Sequence, residues 1–150
     1  MSHTYCSNRI HVIFNTKERA KIISANLQPK LWAYMAGIAH HQGFEAMIIG
    51  GVQDHVHALL VMPPSISLSK AVQFLKGSSS KWINDTGATG THFAWQEGYG
   101  AFSVSASQTS DVVRYIRDQE SHHAKKSFEE EFLAFLKKYG VSYDPAYVLG

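Results

Sequence analysis

Cysteine and long apolar runs are the two things that this sequence most clearly lacks. Cys6 is the only cysteine among 150 residues, so the chain forms no internal disulfide and suits a reducing compartment. No apolar stretch approaches the roughly 20 residues that span a bilayer. The N-terminal residues 1–5 have no basic segment leading into an apolar run, as a signal peptide would. We therefore expect a cytoplasmic protein with no membrane contact.

An excess of charge of one sign is also missing. The chain has 14 Lys and Arg against 12 Asp and Glu, a formal net charge of +2. Binding to a polyanion would therefore depend on local basic patches rather than on the field of the whole protein. A hydrophobic fraction of 45% and a charged fraction of 17% are ordinary for a globular protein. With no repeat or linker visible, residues 1–150 are predicted to form a single domain with a sizeable core.

Histidine, by contrast, is abundant, and one pair is placed for chemistry. His55 and His57 flank Val56, so a strand at this point sends both imidazoles to one face and Val56 to the other. Two imidazoles on one face can bind a cation while Val56 packs into a core. With nine histidines in this chain, a His-x-His pattern would arise by chance about half the time, so the motif alone is weak evidence for a metal site. Asp54 either orients one of the imidazoles or is a turn residue.

The order of predicted elements is β-α-β-β-α-β followed by two helices. Alternating or β-branched segments predict strands over 9–14, 44–49, 55–62 and 101–105. Helices are predicted over 27–42 (capped by Asn26 and ended by Gly43), from Ser67 to about 83, over 111–125, and from the capping box at Ser127 to before Gly140. The connection 50–54 is expected to form a hairpin, with room for a bulge.

This order indicates an α+β, ferredoxin-like (RRM-like) antiparallel sheet whose C-terminal helices follow the βαββαβ unit. In that topology the first and third strands are the central pair. Because Val56 is expected in the core under the helices, His55 and His57 are expected on the open face of the sheet. That face must then be covered by a C-terminal helix or by a second subunit.

A candidate reacting group lies in the predicted helix 111–125. Tyr115 and Gln119 are four positions apart and so share one helix face. A phenol is a poor nucleophile at its ordinary pKa of about 10, but a nearby cation can polarise the electrophile or stabilise the phenolate. Gln119 offers a neutral oxygen beside the two imidazoles. Such a mixed nitrogen and oxygen set suits Mg²⁺ or Mn²⁺ better than structural zinc.

His55-Val56-His57 followed by Tyr115-x-x-x-Gln119 resembles the HUH single-tyrosine transposases of the insertion-sequence 200/605 type. Residues 95–105 also look like the segment that precedes the tyrosine helix in that family. The resemblance covers nearly the whole chain. The histidine motif comes before the tyrosine, as in these transposases; relaxases have the reverse order.

The resemblance implies a DNA transposase. Tyr115 would cut single-stranded DNA by forming a 5′-phosphotyrosine intermediate, and His55, His57 and Gln119 would hold Mg²⁺ or Mn²⁺. The family acts as a homodimer on hairpins at the ends of its element, and often completes each site with the partner's tyrosine helix. The polar segment 105–110, read as flexible, would permit such an exchange.

Candidate DNA contacts are less specific. They are the basic side chains Lys17, Arg19, Lys21, Lys76 and Lys81, which can neutralise phosphates or can simply be solvated. Phe93, Trp95 and Tyr99 can stack on splayed bases or can belong to the core.

Three other hypotheses stay open at this point. A repeat-associated, domesticated tyrosine transposase would cut palindromes without moving its own gene. A non-catalytic module for single-stranded nucleic acid would bind DNA with no metal dependence. A small histidine-rich metalloprotein would not bind DNA at all.

Overall fold

A four-stranded antiparallel sheet forms the centre of the protein, whose structure is a computed structural model that describes residues 3–148. The strands are β1 (Arg9–Asn15), β2 (Glu45–Gly51), β3 (His55–Val61) and β4 (Gly100–Val104), in the spatial order β2-β3-β1-β4. β1 pairs with β3 on one side and β4 on the other, and both pairings are antiparallel. The predicted ferredoxin-like topology, with the first and third strands in the middle, is confirmed.

Five α-helices complete the described part of the chain. They are α1 (Leu27–His41), α2 (Leu68–Thr86), α3 (Thr109–Arg117), α4 (Gln119–His123) and α5 (Phe128–Lys138). None of those in residues 3–148 has both the length and the apolarity that a bilayer span requires.

The two faces of the sheet carry different cores because side chains alternate along each strand. Val12, Val56 and Leu60 belong to the main core with residues of α1 and α2. On the opposite face, Ile13 packs with Phe128 of α5, and Leu59 and Val104 pack with Ile116 of α3. The C-terminal helices therefore cover the face on which His55 and His57 were expected.

Two of the predicted helix caps form and one is wrong. The hydroxyls of Ser67 and Ser127 each accept a hydrogen bond from a first-turn amide, both at 3.2 Å. Asn26 has helical backbone angles and makes no side-chain cap, because a residue already in the helical region does not aim its side chain at the first-turn amides. The Ser24 hydroxyl accepts from the Leu27 amide instead, at 3.2 Å.

The predicted helix 111–125 is two helices with a bend between them. Asp118 leaves the helical region (φ −96°, ψ 25°), so α3 ends at Arg117 and α4 begins at Gln119. Asp is a weak helix former, which helps to place the break. Segment 105–110, expected to be flexible, instead forms a 3₁₀ turn, Ala106–Gln108, and the start of α3.

The β2–β3 hairpin brings the tyrosine helix close to the sheet. The bulge lies inside β2, where Met47 is the extra residue between the pairs Ala46–Leu60 and Ile48–Leu59, rather than in the connection. Gly50 lies against α3: a Cβ atom there would be 2.5 Å from the carbonyl oxygen of Ile116. Glycine thus allows α3 to rest directly on the backbone of β2.

Candidate metal and tyrosine site

Two fully buried imidazoles project from β3 into the space under the C-terminal helices. His55 and His57 are both 0% exposed. His55 Nδ1 lies 2.7 Å from the Asp54 carboxylate, and His57 Nδ1 shares a 2.7 Å hydrogen bond with Nε2 of His11. Metal-binding histidines typically use one ring nitrogen for the metal and hydrogen-bond a second residue, an outer partner, through the other nitrogen. The outer partner fixes the orientation of the ring. His55 and His57 have such partners on Nδ1 and direct Nε2 inward.

The inward-facing nitrogens converge on Glu131, a carboxylate that α5 carries into the site. Glu131 Oε1 lies 2.8 Å from His57 Nε2, 3.1 Å from His123 Nε2 and 3.5 Å from His55 Nε2. Its other oxygen, Oε2, accepts hydrogen bonds from the Tyr115 hydroxyl and, at 3.2 Å, from the Gln119 amide. Only 2% of Glu131 is exposed, so this carboxylate is the hub of a buried polar cluster.

The donor atoms fit a metal ion. One ligand atom from each of His55, His57, His123 and Glu131 can be chosen so that all lie within 4.8 Å of one another. Ligands at about 2.0–2.2 Å from one ion are at most about 4.4 Å apart, so a few tenths of an ångström of inward movement would suffice. Gln119 Oε1, 3.2 Å from His55 Nε2, adds a neutral oxygen. This buried group can hold a metal ion.

Burial and charge set the protonation of the two strand histidines differently. Burial lowers the pKa of His57 to about 4, against the opposing effect of Glu131. Burial also acts on His55, but hydrogen bonds to Asp54 and Glu131 raise the pKa of His55 above its usual value. His57 is therefore a neutral imidazole at neutral pH, the form in which histidine binds metals.

The pKa values of the Glu131 carboxylate and the Tyr115 phenol shift in opposite directions. Burial alone would raise the pKa of Glu131, but hydrogen bonds from His123, His55 and His57 hold it well below the usual range. Burial and then the contact with Glu131 raise the pKa of Tyr115 above the value of a free phenol. The free protein therefore pairs an ionised carboxylate with a protonated tyrosine. Positive charge brought to the cluster would favour the phenolate.

Tyr115 lies at the border between this cluster and solvent. Its ring centroid is 5.9 Å from that of His57, and it stacks on His122 at 4.4 Å. An open cleft beside the ring is lined by His11, Tyr115 and Glu131, and by two lysines, Lys126 and Lys138. The nucleophile that the sequence predicts is thus reachable from outside through a partly basic cleft.

A model of the family described as "Transposase IS200 like" matches residues 4–119. The chain belongs to this family. The expected resemblance is confirmed, and with it the conclusion that the protein is a DNA transposase, an enzyme that acts on DNA.

Relatives of this transposase match over most of their length. It is 25% identical over 124 residues to the transposase for insertion sequence element IS200 of Salmonella typhimurium, covering 79% of this chain and 81% of the relative. It is 26% identical over 129 residues to the ISDra2 transposase TnpA of Deinococcus radiodurans, covering 77% and 84%. A solved REP-associated tyrosine transposase bound to a REP hairpin shares the fold, with a TM-score of 0.58, 13% identity and coverage of 82% and 73%.

The structure brings the four predicted site residues of the transposase together. Tyr115, His55, His57 and Gln119 all contact one another or the shared carboxylate of Glu131. They do so within one chain. Their individual roles stay predictions.

The predicted basic residues lie in three different settings. Arg19 and Lys21 line a groove beside Asp54 and His123, where Arg19 also pairs with Glu129 of α5 at 3.3 Å. Lys17 is exposed in the neighbouring 3₁₀ turn, Lys17–Arg19. The two lysines of α2 are engaged elsewhere: Lys76 Nζ donates to the carbonyl oxygens of Gln96 and Gly98 at 2.6 and 2.8 Å, and Lys81 pairs with Asp85 at 2.6 Å.

The three aromatic residues proposed for base stacking also differ. Phe93 and Trp95 are 1% and 8% exposed and belong to the main core, which leaves neither ring a face for a base. Tyr99 is 40% exposed and is the one whose ring a base can reach.

Sequence reasoning did not predict Glu131 or His123 as site residues. A signal for Glu131 was present: it lies three residues after Phe128 and four before Phe135, so it shares their apolar helix face. A carboxylate on an apolar stripe indicates a buried partner. His123 lies four positions after Gln119 and so one turn further along the helix. Its position in the site depends on the bend at Asp118, which the sequence pattern did not predict.

Proposed function

We propose that this transposase is a metal-dependent single-strand DNA endonuclease and strand transferase whose nucleophile is Tyr115. The observation that carries the proposal is the hydrogen-bonded contact of the Tyr115 hydroxyl with a buried cluster that can bind a metal. A tyrosine at a solvent-accessible cleft with its oxygen against such a cluster is arranged for nucleophilic attack. A tyrosine that only filled a core would need neither the open cleft nor the contact with the metal-binding cluster.

The chemistry is an exchange of one phosphodiester for another. The Tyr115 oxygen attacks the scissile phosphorus, and the bond from phosphorus to the 3′ oxygen of the preceding nucleotide breaks. The products are a 5′-phosphotyrosine and a free 3′-hydroxyl, and the proton that the phenol loses balances the proton that the 3′ oxygen gains. Attack by a 3′-hydroxyl on the phosphotyrosine then joins strands and restores the phenol. No external energy source is required, because the number of phosphoester bonds is conserved.

His55, His57 and Gln119 are the residues that would hold the divalent ion, Mg²⁺ or Mn²⁺. When bound, such an ion polarises the scissile phosphate and stabilises its developing charge. Asp54 and His11 keep the two imidazoles oriented through their Nδ1 atoms. His122 stacks on the Tyr115 ring and limits the positions that it can adopt.

The DNA substrate that we propose is a single strand with a hairpin at the end of the element. Support comes from the relative whose structure holds a REP hairpin and from the basic side chains around the site. Arg19 and Lys21 in the groove, the neighbouring exposed Lys17, and Lys126 and Lys138 beside the cleft can neutralise backbone phosphates.

A homodimer remains part of the proposal, with a specific arrangement. Because Tyr115 contacts Glu131 of its own chain, each protomer would contain a complete site, and the dimer would join two such sites. A repeat-associated transposase that cuts palindromes without moving its own gene would use the same residues. The DNA that flanks the gene separates these two biological roles.

The proposal is tested by mixing purified protein with a labelled, hairpin-bearing single strand and Mg²⁺ or Mn²⁺, and resolving covalent adducts on a denaturing gel. Wild type should form an adduct only with metal present, and Tyr115→Phe should form none. Tyr139→Phe, which changes another tyrosine of the same cleft, is the matched control and should retain the adduct. An adduct from Tyr115→Phe at the wild-type level would refute the assignment.

A second variant separates catalysis from binding. His57→Ala should abolish cleavage and leave hairpin affinity nearly unchanged, because the imidazole is buried and cannot itself contact the DNA. Hairpin binding with no adduct under any metal condition would favour the non-catalytic nucleic-acid-binding module.

A further inference from the structure

We propose that His123 and Glu131 are ligands of the metal ion, so that the C-terminal helices of this transposase complete its metal site. Both residues lie after residue 119, where the match to the family ends. The inference rests on the proposed metal-binding role of His55 and His57. It adds an imidazole and an anionic ligand to the set that the sequence predicts.

The geometry supports coordination by these two residues. The Nε2 atoms of His57 and His123 lie 2.8 and 3.1 Å from the same Glu131 oxygen, and that of His55 lies 3.5 Å away. Side chains of His55, His57 and Glu131 are between 0% and 3% exposed, and that of His123 is 10% exposed. Three imidazole nitrogens and a carboxylate oxygen within 4.8 Å of one another are a donor set that suits a divalent metal ion.

The fold places both residues by specific local features. The bend at Asp118 starts α4, which carries His123 toward β3 and sets its ring 4.4 Å from that of His55. Ser127 then caps α5, and Phe128 docks on the sheet with Ile13 and Phe102. One turn after Phe128, Glu131 is carried under α5 by this apolar packing. A buried carboxylate is costly unless cations or hydrogen-bond donors compensate it.

The competing interpretation is a purely structural hydrogen-bond network. In it, Glu131 would only accept hydrogen bonds that tie α5 to the sheet. The outer partners of the strand histidines favour coordination, because Asp54 and His11 engage both Nδ1 atoms and so direct both Nε2 atoms to one point. Second partners of this kind accompany metal-ligating histidines almost always.

The extended ligand set has a consequence for the choice of metal. Mg²⁺ prefers oxygen ligands and retains several waters, whereas imidazole nitrogen suits metals such as zinc, iron and nickel. A third imidazole therefore shifts preference away from Mg²⁺. Of the two ions proposed above, Mn²⁺ should bind the free protein more tightly, because a transition metal ion accepts nitrogen ligands more readily than Mg²⁺ does.

The test is a Mn²⁺ titration of the full chain without DNA, in which the electron paramagnetic resonance signal of free Mn²⁺ gives the dissociation constant. Loss of an outer partner of a ligand typically weakens metal binding about 10- to 100-fold, so loss of a direct ligand should weaken it at least about 10-fold. We expect this for Glu131→Gln, which keeps the size of the side chain, and for His123→Asn. Glu130→Gln, on the same helix turn but exposed, is the matched control and should bind as wild type does.

Thermal unfolding without metal separates the two interpretations. A structural network predicts that Glu131→Gln and His123→Asn lower the melting temperature yet bind Mn²⁺ with wild-type affinity while folded, and that result would overturn the proposal. If His57→Ala loses Mn²⁺ while both C-terminal variants retain it, the inference fails and the proposed function stands. Because the adduct assay on Tyr115 does not depend on this measurement, failure of the proposed function is recognised separately.

Discussion

Replacing Gly50 with alanine should displace the tyrosine helix α3 and slow covalent cleavage by Tyr115. The added Cβ would lie 2.5 Å from the carbonyl oxygen of Ile116, the residue after Tyr115, and 3.2 Å from its Cγ2 atom. Ordinary van der Waals contact begins near 3.4 Å, so the helix and the strand must separate by about 1 Å. The obstacle is backbone rather than the end of a flexible side chain, so rotamer changes cannot relieve it.

Two magnitudes follow from this displacement. Forcing an extra carbon into a packed contact costs about 1–3 kcal/mol of stability. A misplacement of about 1 Å at a reacting group can cost about 100-fold in rate. Gly50→Ala should therefore remain folded under mild conditions while forming the phosphotyrosine adduct far more slowly than wild type.

The assay is the single-turnover rate of adduct formation at saturating hairpin DNA, together with the melting temperature of each protein. Gly77→Ala is the matched control, because Gly77 is exposed in α2 and its added Cβ would meet nothing within 4 Å. This change should stabilise the helix by about 0.5–1 kcal/mol and leave the rate unchanged. If Gly50→Ala cleaves at the wild-type rate with an unchanged melting temperature, the close approach of α3 to β2 is wrong.

Three further predictions concern other contacts. Ser79→Ala removes the acceptor, at 2.9 Å, of the buried Trp95 indole N–H and should cost about 1–3 kcal/mol in chemical unfolding; an unchanged midpoint would contradict this. Asp54→Asn should weaken Mn²⁺ binding about 10- to 100-fold by loosening the imidazole that it orients, and equal affinity would make Asp54 a turn residue only. Lys21→Ala should lower the salt dependence of single-strand binding by about 0.7 in the slope of log affinity against log salt. The same change at Lys81 should have little effect, since that lysine pairs with Asp85 on α2; a larger effect at Lys81 would place the DNA elsewhere.

Much of the fold could be predicted because its signals are local. Alternation around Val56 sends that residue to one core and its two histidine neighbours to the other face, and the structure has this arrangement. The order of strands and helices was sufficient to predict the ferredoxin-like sheet. The strand and helix ends differ from the predicted ones by no more than three residues, except in the helix that bends at Asp118.

The composition of the site was harder to predict because it depends on how helices dock. The four-residue spacing of Tyr115 and Gln119 predicts a shared face, but no local pattern shows that α5 folds back over that face. Glu131 was therefore not predicted as a site residue, because the helix dipole alone explains a glutamate in the first turn of a helix. Lys76 is a second example: its contacts with two loop carbonyls depend on where the loop lies, and neither the phosphate contact nor the solvated side chain considered from sequence describes them.

The central claim is that the Tyr115 oxygen becomes the covalent attachment point of DNA, and peptide mapping of the trapped adduct tests it most directly. The adduct formed with a hairpin-bearing strand is digested with nuclease and trypsin and analysed by mass spectrometry. Since trypsin cuts after Arg114 and Arg117, the nucleotide should remain on the tripeptide Tyr115-Ile116-Arg117, joined through its 5′ phosphate. A nucleotide found on another residue, or joined through a 3′ phosphate, would contradict the account.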